Sequence, residues 1–212
     1  AISAAELLRN DSRIDSNKVF IIGHSMGGML APRIDAEGGN YKGLILMAGS
    51  PRRLEEIMLD QNEEVMRSGK GLLQWYVKTQ VAKISVMFDG MYELSDEDAK
   101  KKKLGNGTTL YYFKEMGEHP ASEYLLKLEK PVMIMQGEKD FQATLEKDFA
   151  AYKQILKDKK NVTFKVYENL NHLFVPSVYG NIMKAMKEYK VEQHIGENVV
   201  KDLADWIFNA VS

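Results

Sequence analysis

The chain has 212 residues, enough for one domain with a buried core and room for an insertion. Hydrophobic residues make up 44% and the formal net charge is −1, so there is no electrostatic pull toward nucleic acid or an anionic membrane, and neither is an expected partner. With no cysteine, disulfides, thiolate metal ligands and cysteine nucleophiles are excluded. No apolar run is long enough to span a bilayer.

Ala1 to Leu8 predicts a short amphipathic helix with Ile2, Ala5 and Leu8 on one side. The polar turn NDSRIDSN follows. Lys18 to Ile22 (KVFII) is β-branched and aromatic without polar alternation, which suits a strand covered on both faces in a parallel sheet. Gly27 to Asp35 predicts the next helix, where Pro32 is tolerable only near the first turn.

Gly43 to Ser50 (GLILMAGS) and Pro131 to Asp140 (PVMIMQGEKD) predict two more buried strands. Asn161 to His172 predicts a fourth, whose alternating Val162, Phe164 and Val166 suit a more exposed position. Thr144 to Lys157 and Glu197 to Ala210 predict helices. Strands alternating with helices argue for an α/β class with a mostly parallel sheet.

Residues 51–130 contain no convincing buried strand and predict a helical insertion, leaving 1–50 and 131–212 as the core. The insertion is rich in Met and aromatic residues: Met58, Met66, Trp75, Tyr76, Met87, Phe88, Met91, Tyr92, Tyr111, Tyr112, Phe113 and Met116. The simple expectation is that these fill its own small core. The alternative is that some line an apolar pocket.

Gly23-His24-Ser25-Met26-Gly27 matches G-x-S-x-G between a predicted buried strand and a predicted helix. In that context Ser25 sits on a sharp turn with its hydroxyl clear of the sheet. Gly23 and Gly27 are expected where neighbours come too close for a side chain, and Gly28 gives room where helix meets strand. The backbone N–H of Met26 is the expected oxyanion donor, at the positive end of the helix dipole.

A serine nucleophile needs a base, and the base needs an orienting acid. Reactive groups in parallel sheets gather beyond the carboxyl ends of strands. Of the four histidines, His172 meets that condition. His24 lies inside the elbow and is expected to point away from Ser25, while His119 and His194 follow no predicted strand. The turn QGEKD offers Asp140 as the acid, with Glu138 a rival in the same turn; Glu55 lies too far from its strand tip. The chain order is then Ser25, Asp140, His172.

These residues, in the blocks VFIIGHSMGGMLAPRI, GLILMAGSPRRLEE, PVMIMQGEKDFQAT and YENLNHLFVP, resemble the α/β-hydrolase superfamily. The closer resemblance is to bacterial carboxylesterases of the acyl-peptide hydrolase and prolyl-oligopeptidase branch. It implies a Ser25–His172–Asp140 triad, no cofactor and no metal, with ester hydrolysis through an acyl-enzyme. The insertion would be a cap, and its composition points to a small-molecule ester with an apolar or aromatic moiety. Amide, thioester or acyl-transfer chemistry on the same triad, or a non-catalytic module, are the alternatives.

In that superfamily other strands precede the nucleophile strand, and a loop among them supplies a second oxyanion donor. Here the nucleophile strand is the first. The expectation is therefore a C-terminal portion of a larger hydrolase, impaired by loss of a donor worth about 10²–10³ in rate. Its open strand edge invites a homodimer.

Overall fold

Short runs of β-branched and long apolar residues pair side by side into one parallel sheet in the computed structural model, which describes residues 1–68 and 71–211 without the side chains of Leu72, Leu73, Tyr76 and Met186. In chain order the elements are α1 (Ile2–Arg9), β1 (Ile21–His24), α2 (Met26–Ile34), β2 (Leu44–Met47), α3 (Leu54–Ser68), α4 (Leu72–Phe88), α5 (Asp96–Lys101), α6 (Leu110–Glu118), α7 (Ala121–Lys127), β3 (Val132–Gly137), α8 (Ala150–Ile155), β4 (Val162–Tyr167), α9 (Ala185–Glu188) and α10 (Glu197–Val211). They divide into two compact units. One comprises Ala1–Pro51, Ala121–Gly180 and Lys184–Ser212; the other comprises Arg52–Pro120 with Asn181–Met183.

The first unit holds the sheet, in the order β1-β2-β3-β4, every pairing parallel. Successive side chains of a strand point to opposite faces, so β2 and β3 feed two separate cores. Leu44, Leu46, Val132 and Ile134 pack with Ala31 of α2, Ala121 and Leu125 of α7, and Tyr152 of α8. Ile45, Met47, Met133 and Met135 pack on the other face with Val199, Leu203 and Trp206 of α10. A residue such as Leu44 or Ile134, fully withdrawn from water, contributes about 1.5–3 kcal/mol. Helices on both faces make this the α/β architecture expected from the alternating pattern.

Several local expectations need correction. β1 is not covered on both faces: it forms one edge of the sheet, paired only with β2 among the described residues, and Ile22 on it is 52% exposed. Leu8 of α1 is exposed beside Leu7, while Ala5 fills a small cluster with Val19 and Tyr41 that has room for a short side chain. Pro32 lies in the second turn of α2 rather than the first. Its missing N–H removes the bond to the Gly28 carbonyl, and α2 gives way after Ile34 to a wider turn over Asp35–Gly39. In β4 the alternation stops short: Val166 is exposed and Tyr167 is buried.

The second unit is helical. Phe88, Met91, Leu104, Leu110 and Phe113 form its core, with Met58, Met87, Tyr92 and Tyr112 packed against it. Most of the Met and aromatic residues there thus serve the unit's own core. Trp75 is exposed, and the side chain of Tyr76 lies outside the described residues.

Candidate active site

The chain leaves β1 at His24 and enters α2 at Met26, so Ser25 alone makes the turn. Its φ of 55° and ψ of −117° are rare for a residue with a side chain and cost about 1–3 kcal/mol. The turn is held from both sides. Ser25 N–H donates to the Met47 carbonyl at 2.8 Å, and the Ser25 carbonyl accepts from Gly28 N–H at 2.9 Å and Met29 N–H at 3.2 Å.

Gly23 is where the crowding falls. A Cβ there would stand 2.2 Å from the Gly27 carbonyl oxygen. Gly27 itself differs from the expectation, since a Cβ on it meets nothing within 4 Å among the described residues. It faces outward on the first turn of α2, away from the strand. At Gly28 a Cβ would approach the Gly23 carbonyl to 3.2 Å and the Gly49 Cα to 3.3 Å, as expected for a close helix–strand contact.

The Ser25 hydroxyl lies 2.9 Å from His172 Nε2, and His172 Nδ1 lies 2.8 Å from Asp140 Oδ2. Asp140 can only accept at Nδ1, so the network assigns the Nδ1–H tautomer and leaves Nε2 as an acceptor for the serine proton. Both partners are out of water, with side-chain exposures of 5% for His172 and 0% for Asp140. Asp140 also accepts from Gln136 Nε2 at 2.7 Å and from the backbone N–H groups of Gln142 and Ala143 at 2.8 and 3.0 Å. Four donors therefore surround one buried carboxylate.

The remaining candidates fall elsewhere. His24 points away from Ser25, and its Nε2–H donates to the His172 backbone carbonyl at 2.8 Å. Met26 opens α2, which puts its backbone N–H at the positive end of that helix. Glu138 accepts the Asn169 N–H at 2.9 Å, and that bond holds its carboxyl below the usual value. It ties the acid turn to the histidine loop without reaching His172. His119 ends α6 in the second unit, and His194 is exposed before α10. Among the described residues no cluster of three or more His, Asp or Glu side chains is placed to hold a metal ion.

Three contributors escaped the sequence reading. Gln136 is a lone polar side chain in the buried strand β3, 1% exposed, and also donates to the Ala143 carbonyl at 2.7 Å. Its break in an apolar run was the available signal. Asn171, beside His172, is fully buried and accepts the Leu173 N–H at 2.9 Å. Glu188 lies further along in a polar stretch that carries no motif.

Residues 3–175 match the family model described as serine aminopeptidase, S33. Over 207 residues the chain is 27% identical to Esterase EstD of Thermotoga maritima, covering 98% of this chain and 46% of that protein. Among solved structures it is similar to a monoacylglycerol lipase of Paleococcus ferrophilus, with TM-score 0.50 and 14% identity, covering 98% of this chain and 72% of that one. It is also similar to Est1E of Butyrivibrio proteoclasticus, with TM-score 0.49 and 17% identity, covering 81% and 58%. The chain spans about half the length of the curated relative it matches. The likeness to the lipase is one of fold, and it agrees with the parallel sheet flanked by helices. With the family model running from α1 into the histidine loop, this chain belongs to the serine aminopeptidase S33 family of α/β hydrolases.

Proposed function

We propose that this chain carries the nucleophile, base and acid of a serine hydrolase that cleaves carboxylic esters through an acyl-enzyme. The observation that carries the reading is the continuous relay from Ser25 Oγ to His172 Nε2, at 2.9 Å, and from His172 Nδ1 to Asp140 Oδ2, at 2.8 Å. Its relative from Thermotoga maritima is named an esterase, which supports ester over other acyl substrates.

In this mechanism Ser25 Oγ attacks the acyl carbon as His172 Nε2 takes its proton. Base assistance of this kind contributes about 10²–10⁴-fold. Asp140 keeps the imidazole in the productive tautomer and stabilises the imidazolium. The Met26 N–H donates to the oxyanion of the tetrahedral intermediate. His172 then returns the proton to the leaving alkoxide, the ester C–O bond breaks, and the acyl group stays on Ser25. Water, deprotonated by His172, repeats the sequence and releases the acid. The steps use side chains, backbone and water.

The family description names an aminopeptidase, which favours an amide reading as the second choice. The same relay would serve both. Turnover of p-nitrophenyl butyrate and of an aminoacyl p-nitroanilide, with Ser25→Ala as control, separates them. Ester turnover that exceeds anilide turnover and disappears in Ser25→Ala is the expected result. Ester turnover that persists in Ser25→Ala overturns the proposal.

A further inference from the structure

The loop that carries His172 is held from beneath by a carboxylate that the acyl-transfer chemistry does not use. Glu188, the last residue of α9, is 1% exposed. Its Oε1 accepts from Asn171 Nδ2 at 2.7 Å and from the Ser177 hydroxyl at 3.0 Å. Its Oε2 accepts from the backbone N–H groups of Tyr179 at 2.8 Å and Gly180 at 3.1 Å. One carboxylate thus gathers both ends of a ten-residue loop onto a single point. A buried carboxylate persists only when it is this well supplied with donors.

Asn171 passes the constraint on. Held by Glu188 through its amide nitrogen, it accepts the Leu173 N–H at 2.9 Å with its amide oxygen and the Phe174 N–H at 3.0 Å with its backbone carbonyl. His172 is thereby bracketed on both sides, and Phe174 at the end of this turn has a φ of 57°. The residue after Glu188 reaches the other half of the relay. The Tyr189 hydroxyl is hydrogen-bonded to Gln142 Nε2, and its ring stacks on Phe141 at 6.0 Å between centroids. Gln142 N–H in turn donates to Asp140. Residues 188 and 189 therefore grip the histidine loop and the acid turn together.

We propose that Glu188 is a positioning residue for His172, its carboxylate holding the base, through Asn171, in line between Asp140 and Ser25. This rests on the relay reading above, and deepens it. A misplacement on the order of 1 Å is enough to cost about 10²-fold in rate. In Glu188→Gln the side chain keeps its shape, but its amide nitrogen must face either the Asn171 and Ser177 donors or the two backbone N–H groups. One half of the clamp opens.

Two readouts on the full chain test this. The first is the second-order rate at which a fluorophosphonate labels Ser25, normalised to folded protein. The second is the downfield proton resonance of His172 Nδ1–H, assigned by its loss in His172→Gln, which reports the bond to Asp140 without any turnover. Glu188→Gln should label about 10–100-fold more slowly, and its resonance should broaden through faster exchange with water. Glu188→Asp, which keeps the charge and shortens the reach by one methylene, should fall between the two and serves if the glutamine variant does not fold. A purely structural role would lower the melting temperature while leaving both readouts of the folded protein unchanged, and that result overturns the proposal. Should the unmutated chain show the protected resonance but resist labelling, the ester-hydrolysis reading fails, and the positioning role stands or falls on the resonance alone. A chain showing neither signal overturns both.

Discussion

A Cβ on Gly23 would stand 2.2 Å from the carbonyl oxygen of Gly27 and 2.7 Å from the Gly28 nitrogen. Both are backbone atoms at the start of α2, so nothing flexible can yield. Gly23→Ala must push the strand away from the helix or break the turn that carries Ser25. Ordinary overpacking costs about 1–3 kcal/mol, and this substitution should reach or exceed the top of that range. Gly27→Ala should stay within about 1 kcal/mol of the parent, since its Cβ meets open space and alanine favours the helix. Urea unfolding of the two variants side by side checks the asymmetry; equal losses would contradict it.

Asp140→Asn removes the charge and also mismatches the donors. Oδ2 receives Gln136 Nε2 and His172 Nδ1, and Oδ1 receives two backbone N–H groups. Whichever side the amide nitrogen takes, it confronts two donors. Turnover of p-nitrophenyl butyrate should drop by up to about 10⁴-fold. Thermal unfolding should also show a loss of about 1–3 kcal/mol from donors left without an acceptor. Near-normal turnover would remove Asp140 from the role of acid.

Gln136 acts one step further back. Its amide nitrogen bridges Asp140 Oδ2 and the Ala143 carbonyl at 2.7 Å each, while its Oε1 has no hydrogen-bond partner among the described residues. Replacing it with methionine keeps the volume and removes that buried acceptor, but takes one donor from the carboxylate and one from the Ala143 carbonyl. The gain and the two losses oppose each other, so Gln136→Met should unfold within about 1–2 kcal/mol of the parent. Its turnover should still fall about tenfold, because Asp140 and the acid turn lose a tie. Unchanged turnover in a folded Gln136→Met protein would show that the bridge does not reach the chemistry.

The parts legible in the sequence are those written in neighbouring residues. An apolar run, a glycine pinch and a serine mark the turn at Ser25. Asp140 and His172 each follow a strand closely, and the parallel order carries all three to one end of the sheet. What was not legible depends on partners distant in sequence. Ile22 is exposed on the edge strand β1, and KVFII alone records neither which strands pair nor what packs over each face. Gly27 looked like Gly23 in the motif, yet only the geometry of the turn shows which of them is crowded. Glu188 gives no local sign, because its donors come from a loop 8 to 17 residues earlier.

The clamp at Glu188 also predicts how the chain responds to acid. Burial pushes its carboxyl upward, but the Asn171, Tyr179, Ser177 and Gly180 donors together outweigh this and hold it below its ordinary value of 4.5. Among the described residues, the groups around it include Tyr189, which it raises together with Asp140, and Lys184, whose ammonium lies over the Tyr179 ring at 5.5 Å. A carboxyl whose value is depressed by folding adds stability that is complete above the unfolded value. That stability is lost as the pH falls through the folded one. The melting-temperature gap between the parent and Glu188→Gln should therefore hold steady from neutral pH down to about 5 and narrow below 4.5. Tyr189 titrates far away, pushed up to about 12 mainly by its burial, so it does not contribute in this window. A gap that stays constant down to pH values where the parent itself unfolds would mean that Glu188 holds the loop without its charge.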